Sequence, residues 1–169
     1  TNNAGGALCA HAHSIDGASF TGNKAAQAGA IYNGQGNAEI KNATFSNNST
    51  TSQSGGAIYF DNSTTKTITE CIFTGNTAVG NGDTIFSDTE SGVTLTSCTF
   101  NDAYNITDAA LYSSSSFSPF TFSESKFKNP TKDGFTFAGY STTGDNTYEC
   151  QADATAYTTV TAECGILYA

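Results

Sequence analysis

The residues whose types and spacing come nearest to a reactive site are two histidines and an aspartate close to the start of the chain. His11, His13 and Asp16 form an H-x-H-x-x-D pattern. Alternate residues of a strand share a face, so these side chains could together bind a metal ion. The simpler interpretation is that all three occupy exposed polar positions. We adopt it, and we predict neither a metal site nor a cofactor.

Paired carboxylates would be the other route to chemistry, because glycoside hydrolases need two of them at a defined separation. Asp61, Glu70, Asp83, Asp88 and Glu90 are scattered along the chain with no clear strand register. All six basic residues are lysines, which removes the arginine base that polysaccharide lyases usually need. Serine and threonine occur throughout beside only two histidines, so no nucleophile and base can be paired. The sequence therefore predicts no catalytic residues and no enzyme.

The composition narrows the classes of partner. The net charge is −9, and only 12% of the residues are charged. An acidic chain without arginine is a poor ligand for nucleic acid or for an anionic membrane surface. No run of 18 apolar residues is present, so we predict no transmembrane segment. Twelve Phe and eight Tyr need a place to be buried, which argues for a folded chain.

A phenylalanine recurs at nearly constant steps along the chain, and we predict that it forms an internal stack. The core stack consists of Phe20, Phe45, Phe73, Phe100 and Phe127. Five residues before each lies a large apolar residue: Ile15, Ile40, Ile68, Leu95 or Phe122. Two residues before each lies a small one: Ala18, Ala43, Cys71, Cys98 or Ser125. Internal repeats of this length are typical of solenoids.

The repeat predicts strands, since its apolar segments are short, rich in Ile, Thr, Phe and Tyr, and separated by Gly and Asn. The five-residue gap before each Phe breaks the alternation of a strand, so we expect a corner inside it. The corner residues would be Gly17, Asn42, Glu70, Ser97 and Glu124. We predict an all-β, right-handed parallel β-helix of about five to six coils, each of about 27 residues. It would span residues 1–138, with an irregular C-terminal cap over residues 139–169.

An asparagine follows three of these phenylalanines by three residues. Asn23, Asn48 and Asn76 should lie at a tight turn. Asparagine tolerates the left-handed conformation there, and its amide can bond to the same residue of the next coil. We expect these residues to form a turn ladder.

Two tetrapeptides of the repeat resemble those of a known family. Gly5-Gly6-Ala7-Leu8 and Gly55-Gly56-Ala57-Ile58 match a GGA[I/L] motif, and Phe20 to Asn23, Phe45 to Asn48 and Phe73 to Asn76 match FxxN. These motifs resemble the repeats of chlamydial polymorphic membrane proteins and of related adhesin-like surface proteins of archaea and ciliates. The resemblance extends from about residue 5 to 86. It implies a right-handed β-helix on a cell surface, often adhesive and not enzymatic. The tetrapeptides would either mediate adhesion or, as we favour, form the Phe stack and the turn ladder.

The cysteines and asparagines indicate an extracellular or cell-surface location. Cys150 and Cys164 lie outside the repeat, and we predict a disulfide between them that staples the cap. Cys71 and Cys98 share a column in adjacent coils, where a bridge and two packed thiols are both feasible. Possible N-glycosylation sites of a secreted glycoprotein are Asn42, Asn48, Asn62 and Asn105.

A second aromatic column follows the Gly/Ala-Ile element by one residue, and it comprises Tyr32, Tyr59, Phe86 and Tyr112. Pointing outward, it would form a stripe suited to glycans or to a protein partner. Pointing inward, it would belong to the core. We favour the inward orientation, because a long exposed aromatic strip promotes aggregation.

Three functions remain. The first is an extracellular, non-enzymatic adhesive or structural module whose partner is a protein or glycan on a host or neighbouring cell. The second is a fibre subunit that binds itself through end-to-end stacking of coils, because the first repeat motif begins by Gly5 and leaves no room for an N-terminal cap. A fragment of a longer helix would explain the same feature. The third is a polysaccharide lyase or hydrolase, which rests on fold analogy alone.

Overall fold

The regular secondary structure of the described residues consists of short strands, most of them paired in parallel. The computed structural model describes residues 4–61, 64–88, 92–102, 111–113, 120–129, 139–140, 150–151 and 157–160. Each coil contributes one strand to each of three sheets, and the strand order within a sheet follows the order of the coils. In the described ranges there is no helix long and apolar enough to cross a membrane.

We name the three sheets after side chains discussed below. The tyrosine sheet contains β1 (Leu8–Ala10), β5 (Ile31–Asn33), β9 (Ile58–Asp61), β12 (Ile85–Asp88) and β15 (Leu111–Ser113). The threonine sheet contains β2 (His13–Asp16), β6 (Ala38–Lys41), β10 (Lys66–Thr69), β13 (Val93–Thr96) and β16 (Phe120–Ser123). The phenylalanine sheet contains β3 (Ser19–Thr21), β7 (Thr44–Ser46), β11 (Ile72–Thr74), β14 (Thr99–Phe100) and β17 (Ser125–Lys128).

Pairing within these sheets is parallel from the first coil to the fifth. One full turn of the chain brings Ile31 beside Ile58, and the next turn brings Ile58 beside Ile85. Four such turns connect the five strands of the tyrosine sheet. The predicted parallel β-helix is therefore confirmed. A small two-stranded sheet, β4 (Lys24–Ala25) with β8 (Ser49–Thr50), extends the coils beyond the phenylalanine sheet.

The repeated phenylalanines form a continuous stack inside the solenoid. Ring centroids of successive residues from Phe20 to Phe127 lie 4.8, 5.1, 4.8 and 4.4 Å apart, and the rings are nearly parallel. Ile40, Ile68 and Leu95 fill the matching column of the threonine sheet and are fully buried. Because coils stack at about 4.8 Å, like side chains pack on like side chains.

The corner predicted inside the five-residue gap is confirmed by the backbone. Gly17, Asn42, Glu70, Ser97 and Glu124 all have positive φ angles, between 51° and 73°. A left-handed residue turns the chain between the two strands of a coil and reverses the pleat. The isoleucine before the corner and the phenylalanine after it can therefore both point inward.

The asparagine ladder joins three coils through side-chain amides. Nδ2 of Asn23 donates to Oδ1 of Asn48 at 2.9 Å, and Nδ2 of Asn48 donates to Oδ1 of Asn76 at 2.9 Å. The left-handed conformation expected of these asparagines lies one residue earlier, at Gly22, Asn47 and Gly75. That part of the prediction is wrong, because the asparagine must point into the solenoid to reach its partners.

The ladder also corrects the glycosylation prediction. Asn48 is fully buried and both protons of its amide are used, one by Asn76 and the other by the carbonyl of Phe20 at 3.0 Å. A folded chain cannot present this amide to a glycosyltransferase, so Asn48 is not an acceptor in the native state. Asn42 is exposed and donates to Asp16 at 2.7 Å. Asn62 and Asn105 lie outside the described residues.

Two further pairings involve the predicted cap. β20 (Tyr157–Val160) pairs antiparallel with β17 and covers the last edge of the phenylalanine sheet. Tyr157 also donates its hydroxyl to Oδ1 of Asn101 at 3.0 Å. β18 (Gly139–Tyr140) pairs antiparallel with β19 (Cys150–Gln151). Cys164 lies outside the described residues, so its disulfide with Cys150 stays a prediction, as does the boundary at residue 139.

Candidate functional site

The outer face of the tyrosine sheet carries the aromatic column. Ile31, Ile58 and Ile85 are fully buried, and the next residue of each strand must point the opposite way. Tyr32, Tyr59, Phe86 and Tyr112 therefore face outward, and the inward orientation favoured above is wrong. The reason lies just before the strand. The amides of Ala30 and Ile31 both donate to the carbonyl of Ala57 at 2.9 Å, so the chain bends there and both side chains point inward.

The outward aromatic rings are stacked on one another. Centroids from Tyr32 to Tyr59, to Phe86 and to Tyr112 lie 5.5, 4.6 and 5.5 Å apart, with interplanar angles of 13° to 24°. Each inner ring has its faces covered by its neighbours, so Phe86 is only 8% exposed although it lies on the outer face. Tyr112 is 37% exposed. The aggregation hazard is reduced, because solvent meets ring edges and hydroxyl groups instead of flat faces.

Two carboxylates lie beside this column. Asp61 and Asp88 are in register as the last residues of β9 and β12. Each follows an outward aromatic residue by two positions and therefore shares its face. The expectation that these acidic residues share no register is thus wrong for this pair. They lie one repeat apart in the sequence, and that spacing was the signal that would have revealed their register.

The tyrosine hydroxyls and these carboxylates form one polar edge. The hydroxyl of Tyr32 donates to Oδ2 of Asp61. Burial, and then this hydrogen bond, raise the pKa of Tyr32 above its ordinary value. Burial and the charges of Asp88 and Asp61 raise the pKa of Tyr59 to about 12. Both hydroxyls are therefore protonated at neutral pH. The proton of Tyr32 is already donated to Asp61, so of these two it is Tyr59 that can donate to a ligand, while the carboxylates accept.

The three residues of the H-x-H-x-x-D pattern do not point to the same side of the chain. His11 and Asp16 are exposed, as expected, but His13 begins β2 in register with buried Ala38 and points inward. The prediction that all three are exposed is therefore wrong for His13. Its ring lies beside Asn33, and burial lowers its pKa. Within the described residues, no three His, Cys, Asp or Glu side chains lie close enough together to hold a metal ion.

A lysine that the sequence pattern did not single out, Lys66, is buried in the solenoid. Lys66 is 1% exposed and shares the inward column of His13 and Ala38. Its Nζ donates to the carbonyl of Gly36 at 2.7 Å and to Oγ1 of Thr64 at 2.5 Å. Burial lowers its pKa to about 8. The available signal was its position two residues before Ile68, which places it on the inner face.

Replacing Lys66 with methionine should stabilise the fold at pH 7 by about 1–3 kcal/mol, because a buried charge is removed at similar volume. The folded pKa lies below the unfolded value of 10.5, so between about pH 8 and 10.5 the unfolded chain binds more protons. Wild-type stability should therefore rise with pH across this window. Urea unfolding of wild type and variant at pH 7.5 and 9.5 gives the difference in their free energies of unfolding, which should change between the two pH values. A difference independent of pH would contradict the assignment.

The two inward cysteines are unbridged thiols. Cys71 and Cys98 are both free and fully buried. Their thiols donate to carbonyl oxygens, Cys71 to Thr69 at 3.3 Å and Cys98 to Ile68 at 3.5 Å. Burial raises the pKa of Cys71 to about 11 and that of Cys98 to about 12. Thiols held protonated in this way are unreactive packing groups. Cys9 lies in the first coil, in register with Tyr32 of the second coil, and is free and exposed.

Comparison with known proteins addresses the fold. A family model described as a right-handed β-helix region matches residues 1–151. Searches of curated proteins and of solved structures returned no match to the chain. The right-handed solenoid predicted from the repeat is thereby confirmed, whereas the narrower resemblance to the chlamydial proteins is not confirmed. The chain belongs to the right-handed β-helix family.

Proposed function

We propose that this chain is a non-enzymatic binding module of an extracellular or cell surface, and that its tyrosine sheet binds neutral glycans. The observation that carries the proposal is the outer aromatic column beside the in-register pair Asp61 and Asp88. It offers the hydroxyl of Tyr59 as a donor and carboxylate acceptors in two successive coils. A glycan supplies hydroxyl groups of both kinds along an extended chain.

The charge of the chain supports a neutral ligand. A net charge of −9 and the absence of arginine disfavour acidic polysaccharides, because like charges repel at close range. Tyrosine and carboxylate side chains accommodate uncharged hydroxyls without leaving a buried charge unpaired. The partner that fits is thus a neutral glycan of a host or neighbouring cell.

The resemblance to adhesin repeats supports a surface role, but the tetrapeptides themselves are poor contact residues. Phe45, Phe73, Asn48 and Asn76 are all buried, so a partner cannot reach them. In this proposal they build the scaffold, and the outward side chains of the tyrosine sheet mediate adhesion.

Asp61→Asn should weaken binding to a soluble neutral polysaccharide about tenfold, since a charge-assisted hydrogen bond contributes about 1.4 kcal/mol or more. Asparagine keeps a carbonyl acceptor for Tyr32, so the column should stay in place. Affinity electrophoresis in gels that contain single polysaccharides measures the effect.

The matched control is Ile72→Ala. Ile72 is 43% exposed and lies on the phenylalanine sheet, away from the proposed contact. Equal loss of binding in both variants, or wild-type chain that migrates unretarded in every neutral polysaccharide gel, would refute the proposal.

The same two aspartates favour one alternative, a polysaccharide hydrolase. Adjacent coils lie about 4.8 Å apart, near the roughly 5–5.5 Å between the carboxyl groups of retaining glycosidases. Both carboxylates, however, project side by side from the same face of the sheet. In a glycoside hydrolase the two carboxylates lie on either side of the bond that is cleaved. Reducing ends released by the wild type and abolished by Asp88→Asn would establish hydrolysis in place of binding.

A further inference from the structure

A different face of the solenoid carries a regular grid of threonines. Three successive strands of the threonine sheet have the pattern T-x-T or T-x-S: Thr67-Ile68-Thr69, Thr94-Leu95-Thr96 and Thr121-Phe122-Ser123. The middle residues are buried, so the flanking hydroxyl residues point outward. They are in register in two columns, Thr67 with Thr94 and Thr121, and Thr69 with Thr96 and Ser123.

The hydroxyls of this grid are not used in hydrogen bonds within the described part of the chain. Within the described ranges, none of the six side chains hydrogen-bonds to another group of the chain. Hydroxyls on the phenylalanine sheet differ, since Thr21 bonds Ser46 at 2.9 Å and Thr74 accepts from Asn101 at 3.0 Å. The six grid side chains carry no charge, although the exposed Glu70 and Glu124 lie next to the grid at the corners of their coils. Within the strands of this face, the charged side chains that point outward lie in the first two coils, where Glu39 and Lys41 form an ion pair at 2.6 Å.

The dimensions of the grid are set by the backbone. Neighbouring coils are about 4.8 Å apart, and alternate residues of a strand are about 6.6 Å apart. Branching at Cβ restricts the χ1 angle of threonine, so methyl and hydroxyl positions are well defined. The buried Ile68, Leu95 and Phe122 column holds the strands from below. The result is a rigid array of methyl and hydroxyl groups that repeats in two directions.

We propose that this threonine face binds the surface of ice. A crystal of water is a ligand that carries no net charge and repeats in two directions, as the grid does. The coil spacing is close to the shortest repeat of hexagonal ice, so hydroxyls of successive coils can take up neighbouring lattice positions. The methyl groups between them favour ordered water over bulk water. This face is separate from the tyrosine sheet, and the inference does not depend on glycan binding.

Ice-affinity partition of the full chain tests the proposal. Ice is grown slowly from a dilute solution that also contains a reference protein excluded from ice. Wild-type chain should be enriched severalfold in the ice fraction relative to the reference. Thr94→Lys, at the exposed centre of the grid, should reduce enrichment to the level of the reference protein, because a long charged side chain prevents flat contact.

Thr44→Lys is the matched control, since Thr44 occupies the outer face of the phenylalanine sheet and should leave enrichment unchanged. Circular dichroism melts verify that each variant folds, and Thr121→Lys replaces Thr94→Lys if that variant does not. Exclusion of the wild type from ice overturns the proposal, as does equal enrichment of wild type and grid variant. Grid-dependent binding to microcrystalline cellulose without enrichment in ice would likewise overturn ice as the ligand.

Discussion

Replacing Phe73 with alanine is expected to lower the free energy of unfolding by about 3–5 kcal/mol. Phe73 is fully buried, and its ring stacks on Phe45 at 5.1 Å and on Phe100 at 4.8 Å. Inter-coil hydrogen bonds hold the backbones of the neighbouring rings in place. The cavity left in the middle of the column therefore cannot close by a small shift. Urea unfolding followed by circular dichroism measures the loss.

Ile72→Ala is the control for this measurement. Ile72 precedes Phe73 in the same strand but points outward and is 43% exposed. Its truncation should cost less than about 1 kcal/mol, since little apolar surface is withdrawn from a packed site. If the two variants lose stability equally, the stack is not the element that stabilises the solenoid.

Asn48→Ala is expected to have the second large effect, a loss of about 2–4 kcal/mol in the free energy of unfolding. Oδ1 of Asn48 accepts from the backbone and side-chain nitrogens of Asn23 at 3.0 and 2.9 Å. Its Nδ2 donates to Asn76 and to the carbonyl of Phe20. Removal of the amide leaves several of these groups without a partner in a buried turn.

Asn47→Gly controls for this change in the same turn. Asn47 is exposed and has a φ angle of 55°, a conformation in which glycine is unstrained. Its replacement should therefore leave stability nearly unchanged or raise it slightly. Asn48→Asp adds a second comparison, because it keeps the size of the side chain but removes the donor. Equal stability of Asn47→Gly and Asn48→Ala would show that the ladder contributes nothing.

The inner columns could be predicted because they depend on local rules. A phenylalanine and an isoleucine five residues apart must both be buried, and this alone requires a corner such as the one at Glu70. The regular period of the repeat then places like residues on one another. The same rule was available for Asp61 and Asp88, whose register was missed although they are one period apart.

The direction of the outer aromatic column could not be derived in this way. The direction depends on whether the strand begins at Ala57 or at Ile58. A shift of one residue in the start of a strand moves every side chain to the opposite face. The carbonyl of Ala57 accepts two amides from the preceding coil, and that contact sets the phase. Lys66 is a related case, because its burial depends on acceptors at Gly36 and Thr64 that composition does not reveal.

The sequence by itself determined the solenoid, its period, its inner stack and its corners, because each follows from strand alternation and from repetition along the chain. Only the tertiary structure decided what the outer faces present. The stacked tyrosine column with its two aspartates and the open threonine grid both depend on which face each strand turns to solvent and on contacts between coils. Such contacts join residues a full coil apart in the chain, and no local rule specifies which hydroxyls they leave without a partner.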